Sequence, residues 1–135
     1  MIRNLLILLA IVVAGSGCDL LRGPTPFNDA PVIRQIGDVS FVSLRDEIVA
    51  YDAYFDLVVD QIVDLPIEVI EPEEEKLTVA AGPIPRGWTY DAENRVLRAA
   101  PDHRQRDLIF RVYVAAEDAH DPPAYDVRTL YFSVQ

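Results

Sequence analysis

From about position 31 onward the side chains alternate between apolar and polar, and this period of two constrains the fold more than any other feature. Leu108, Phe110, Val112 and Val114 fall on one face of an extended segment, with Arg111 and Tyr113 opposite. Leu130, Phe132 and Val134 oppose Thr129, Tyr131 and Ser133 in the same way. Leu77, Val79 and Ala81 alternate with Thr78 and Ala80. Successive side chains of a strand point to opposite faces, so each segment has one face to bury and one to wet. The runs are rich in β-branched and aromatic residues, which fit a pleated, half-buried surface. Tyr90 and Val96 flank Asp91-Ala92-Glu93-Asn94-Arg95, which reads as a hairpin turn with Asn94 suited to positive φ. Short strands separated by turns predict an all-β fold, a single two-layer β-sandwich.

One segment supports two readings. In 46–64, Ile48, Tyr51, Phe55, Val58 and Ile62 recur at helical spacing. In the same segment Val49, Tyr51, Ala53, Phe55, Leu57 and Val59 share a strand face, against Asp52, Tyr54, Asp56 and Asp60. The β-branched and aromatic content favours strand, but periodicity alone does not settle it.

The first residues obey a different rule. Met1 to Asn4 is a short polar start carrying Arg3, Leu5 to Ala14 is an unbroken apolar run, and Gly15, Ser16 and Gly17 precede Cys18. A positive start, a short apolar run and small residues describe a secretory signal. The run falls short of the roughly 20 apolar residues that span a bilayer. Cys18 is the one cysteine, so neither an intrachain disulfide nor a cysteine-based zinc site can form.

The placement of Cys18 resembles the bacterial lipobox, in which small residues precede a cysteine that is lipidated and becomes the mature N-terminus. Ser16 and Gly17 match that pattern, whereas Gly15 stands where a branched residue is usual. The resemblance implies a lipoprotein signal peptide at 1–17, acyl chains such as palmitate on Cys18, and a cell-envelope location on the non-cytoplasmic side, periplasmic or at the cell surface. Asp19 is similar to the signal that retains enteric lipoproteins at the inner membrane. Residues 19–31 contain Gly23, Pro24, Pro26 and Pro31 and read as an extended tether. The expected organisation is therefore 1–17 signal peptide, 18–30 lipidated cysteine and tether, and 31–135 sandwich.

Charge narrows the partners. Asp and Glu number 22 against 12 Lys and Arg, a formal charge of −10. Phosphate binding needs clustered Lys and Arg, so nucleic acid is excluded as a partner. The same excess opposes adsorption to anionic lipid, leaving the acyl anchor as the expected membrane contact. No Ser-His-Asp arrangement, Gly-rich phosphate loop or His-Glu-x-x-His is present, so the expectation is no enzyme. His103 and His120 lie in polar stretches and read as solvated loop residues. Asp52, Asp56, Asp60 and Asp64 read as solvent-face residues, with a distant carboxylate pair as the one hydrolytic alternative. Trp88 and Tyr90 read as core or hairpin packing. A carbohydrate or cell-wall binder using Trp88 and nearby tyrosines would need Trp88 exposed for sugar stacking, so burial of that ring would remove this reading and favour a scaffold.

Four pieces of the domain resemble cadherin-like and dystroglycan-type putative immunoglobulin-like domains. Asn28-Asp29-Ala30-Pro31-Val32 is similar to their Asn-Asp-x-Pro boundary motif. Glu71 to Val79 resembles their acidic turn followed by Leu-Thr-Tyr. Gly82-Pro83-Ile84-Pro85-Arg86-Gly87-Trp88-Thr89-Tyr90-Asp91, running on to Pro101, resembles their Gly-Leu-Pro-x-Gly-Leu-x-Phe-Asp hairpin, although Ala99 and Ala100 replace its Gly-Thr. Val112 to Asp118, Pro122-Pro123 and the final strand resemble the last two strands. The resemblance covers roughly residues 28–135 and implies an immunoglobulin-like or cadherin-like sandwich.

It also implies a calcium ion held by Asn28, Asp29, Glu71, Glu73 and Asp118. Calcium takes six to eight oxygen ligands, and these segments would meet at one end of the sandwich. Glu stands where the family mostly has Asp, which lengthens each arm by a methylene. The plainer reading is a solvated turn at Glu71 to Glu75 and a tether shaped by Asn28-Asp29. Three functions follow: a lipid-anchored envelope scaffold that binds a protein partner, a calcium-binding adhesion domain, or a carbohydrate-binding lipoprotein. No other cofactor is expected.

Overall fold

The computed structural model describes residues 30–71 and 76–135. They form β1 (Val32–Ile36), β2 (Val39–Ser40), β3 (Asp52–Leu57), β4 (Val63–Ile70), β5 (Leu77–Gly82), β6 (Thr89–Asp91), β7 (Val96–Ala99), β8 (Ile109–Asp118) and β9 (Tyr125–Val134). One 3-10 turn, His103–Gln105, precedes β8. One sheet has the order β2-β1-β4-β7-β6 and the other β3-β9-β8-β5. The predicted all-β sandwich is the fold observed.

Alternation becomes burial in the two longest strands. Val112, Val114 and Ala116 of β8 are fully buried, as are Leu130 and Phe132 of β9, while Arg111, Tyr113 and Glu117 face solvent. From the other sheet Ile33, Ile36, Leu97 and Ala99 close the core. Leu108 departs from the expected face: it precedes β8 and is exposed.

The ambiguous 46–64 segment contains a strand, β3, and pairs parallel with β9 from Asp52↔Thr129 to Leu57↔Val134. Ala53 and Leu57 are buried and Phe55 stacks on Phe132 at 5.2 Å. Members of the alternative helical stripe, Ile48, Val58 and Ile62, lie exposed in the flanking loops. The chain thus enters one sheet as β1, turns back through β2, and crosses to the other sheet as β3.

Trp88 belongs to the core. It is 4 % exposed, its ring meets Phe110 and Phe132 edge-on at 5.5 and 5.0 Å, and its Nε1 donates to Gln105 Oε1 at 3.2 Å. Gln105 is itself fixed by donating to the Arg86 carbonyl and accepting from the Asp102 N–H.

Arg128 is a buried cation that periodicity does not announce. It has no exposed surface, pairs with Asp126, and lies between the rings of Phe41 and Tyr51 at 5.2 and 4.9 Å. Its Nη2 donates to the Ile33 carbonyl, while the Ile33 N–H donates to Asp126 Oδ2 at 2.7 Å. This exchange clasps β9 of one sheet to β1 of the other.

The Asp91–Arg95 turn forms between β6 and β7, but the residue at positive φ is Arg95 (φ 58) rather than Asn94. Asn94 is held otherwise, its backbone and side-chain N–H groups donating to Asp91.

Candidate functional site

The outward side of the four-stranded sheet carries more aromatic surface than a solvent face requires. Strand register fixes its rows. Asp56, Ser133 and Ile109 form one, Tyr54, Tyr131 and Arg111 the next, and Asp52, Thr129, Tyr113 and Gly82 the one beyond. Further rows hold Val127, Ala115 and Ala80, then Tyr125, Glu117 and Thr78. Tyr54 is 73 % and Tyr113 41 % exposed.

The rings are ordered against one another. Tyr54 stacks on Tyr131 with centroids 5.1 Å apart and planes 12° apart. Because β3 is an edge strand, the other face of Tyr54 looks past the sheet into solvent. The Arg111 guanidinium lies 5.5 Å from the centre of the Tyr113 ring. Next to Tyr113, Gly82 presents bare backbone, and a Cβ built there would meet nothing within 4 Å. With Ala80 and Ala115 beside it, this corner forms a low shelf next to the tyrosine ridge. A surface of this kind binds by ring stacking and hydrogen bonding rather than by enclosure.

The residues singled out from sequence are placed as follows. Cys18, Asn28, Asp29 and Glu73 lie outside the described residues. Glu71 and Asp118 share one pole of the sandwich: Ile70 at the end of β4 pairs with Val32, and Leu77 at the start of β5 pairs with Asp118. Asp118 is buried, and its Oδ1 accepts the backbone N–H groups of His120 and Ala124 at 3.1 and 2.9 Å, closing the β8–β9 loop. One oxygen of Glu71 is screened from solvent. Among the described residues no group of three or more His, Cys, Asp or Glu side chains is arranged to hold a metal ion. Trp88, named as a stacking surface for a sugar, is corrected by its burial: both its ring and its N–H are committed to the core.

The four aspartates considered as a distant carboxylate pair are exposed. Asp60 pairs with His103 at 2.9 Å. Asp64 lines a depression of about 340 Å³ on the five-stranded sheet together with Asp91 and Arg98. Hydrogen bonds from Arg98 hold the Asp64 carboxyl below the usual carboxylate range, and those from Asn94, side chain first, do the same for Asp91. A general acid needs the opposite shift.

No family model matches the sequence, and no curated protein matches it. Among solved structures the chain is similar to a nucleoside hydrolase-related hypothetical protein from Saccharophagus degradans that is associated with carbohydrate metabolism. That likeness has TM-score 0.60 and 15% identity, and covers 80% of this chain but 26% of the other. The chain is also similar to human CDH23 EC21-23, with TM-score 0.51 and 13% identity over 65% of this chain and 33% of that one. It spans only about a quarter and a third of these proteins. Likeness at such identity shows the fold: the sandwich is of the immunoglobulin-like or cadherin-like kind.

The tyrosine face was visible in pieces. Tyr54, Tyr113 and Tyr131 each sit on the polar side of an alternating run. Only the pairing of β3 with β9 and β9 with β8 brings them into adjacent rows.

Proposed function

We propose that this chain is a non-catalytic, lipid-anchored module of the cell envelope that binds its partner through the outer face of the four-stranded sheet. The observation that carries this reading is the stack of exposed Tyr54 on half-buried Tyr131, with Tyr113 and Arg111 beside it. Folding does not require three tyrosines on the wet side of a sheet, whereas an interface favours large, rigid aromatic rings. Acylation at Cys18 would hold the module at a membrane, and the Pro-rich tether would stand it off.

A calcium-binding variant of this reading has one observation in its favour. Glu71 and Asp118, the two described members of the proposed ligand set, lie at the same pole, where Ala30 also enters the sandwich.

Two measurements test the module. Cys18→Ser should move the protein from the membrane fraction to the soluble fraction. Retention of the purified domain by a whole envelope preparation should fall in the Tyr54→Ala/Tyr131→Ala double variant and persist in Arg98→Ala, which alters the opposite sheet. Equal retention of both variants would dismiss the tyrosine face.

A further inference from the structure

We infer that the ligand of this face is an extended, uncharged polysaccharide. The inference rests on the binding-module reading above and gives that site a ligand class. Three features of the face carry it.

The first is the presentation of Tyr54. One side of its ring is covered by Tyr131 and the other is open beyond the sheet edge. The axial C–H bonds of a pyranose ring complement such an electron-rich aromatic face. The second is what surrounds the rings. Asp52, Asp56, Ser133 and Thr129 are short acceptors and hydroxyls in the rows next to the stack, and Arg111 supplies a donor fork. Vicinal sugar hydroxyls need such donors and acceptors close to an apolar surface. A protein partner is favoured less, because protein interfaces are depleted of Asp and Glu, and here Asp52, Asp56 and Glu117 stand on the face.

The third feature is shape and sign. Among the described residues the face is an open sheet, with Tyr54, Ile109, Tyr113 and Tyr125 exposed, which suits a chain of sugar units better than a small solute. It runs from the edge stack across Tyr113 to the shelf at Gly82. Asp52, Asp56 and Glu117 outnumber Arg111 on it, and the whole chain carries −10. Polyuronates and other polyanions are therefore repelled.

The test is affinity electrophoresis of the purified domain in gels containing xylan, mixed-linkage β-glucan or galactomannan, with polygalacturonate as the acidic control. At least one neutral polymer should retard the domain. Tyr54→Ala should weaken that retardation about tenfold, equivalent to ~1.4 kcal/mol, with an unchanged melting temperature. Arg98→Ala should leave it intact, and polygalacturonate should not retard the domain. Retardation by none of the neutral polymers, or equal retardation of Tyr54→Ala, overturns the inference. A second arm separates it from the module reading. If envelope retention depends on Tyr54 but is abolished by protease treatment of the envelope, the face binds protein, and the glycan inference fails while the module stands. If retention ignores Tyr54, both fail.

Discussion

Arg128 shows how a single residue organises one pole of this fold. A guanidinium with no exposed surface is tolerated because Asp126, two backbone carbonyls and two aromatic rings surround it. Its Nε alone lacks a hydrogen-bond partner. Removing one member of a buried pair strands the other charge, at a cost of about 3–5 kcal/mol. Arg128→Ala should therefore lose about that much stability by urea unfolding, and a loss below about 1 kcal/mol would contradict the clasp. Nothing in the alternating pattern of β9 announced this residue, because it occupies an inward position that the pattern reserves for apolar side chains. Much of its compensation comes from Ile33, Phe41 and Tyr51, which are remote in sequence. Two exposed carboxylates contribute to the domain's acid sensitivity. The Asp64 and Asp91 carboxyls are held below their ordinary value of 3.8. A lowered folded-state value contributes stability that is present above the unfolded value and is lost as pH falls through the folded one. The urea midpoint should be flat above about pH 5 and fall below 3.8. The Asp64→Asn/Asp91→Asn variant should show a shallower fall, and an identical profile would remove these groups as its cause.

Among the elements, the β1–β2 hairpin depends on its turn. Gly37 has φ +60, and a Cβ there would lie 2.6 Å from Leu65 Cδ2. Left-handed backbone alone costs a non-glycine residue roughly 1–2 kcal/mol. Gly37→Ala should lower stability by at least ~1 kcal/mol in chemical denaturation, and a neutral result would mean that the hairpin shifts freely. The strands β5, β8 and β9 were legible because each has one face on the core and one in water. The 46–64 segment was ambiguous because its apolar residues satisfy both periods over a short window. Pairing with β9 decides it, and that partner lies far away in sequence. The site was less legible than the fold. Tyr54, Tyr113 and Tyr131 were placed correctly on outward faces, but outwardness alone does not reveal neighbours. Trp88, the candidate for sugar stacking, is claimed by the core.

For the molecule as a whole, the two poles differ. Residues 30, 71 and 76 and the β8–β9 loop share one pole. A cation that bridges that pole would stabilise the native state by mass action. On the calcium reading, millimolar calcium should raise the melting temperature of residues 18–135, and Asp118→Asn should remove the rise. An unchanged melting temperature would eliminate the calcium site.

The parallel ladder between β3 and β9, and the clasp beside it, also set a schedule. Ile33 meets Asp126 and Arg128 only 93 and 95 positions downstream. Contacts this distant form slowly, since the intervening loop must close before they repay it. A chain emerging from its N-terminal end therefore holds β3 without its ladder partner, and β1 without the Asp126–Arg128 clasp, until β9 arrives. If the chain is exported as proposed, that lag would keep its leading half pliable during passage and defer closure of the sandwich to the far side.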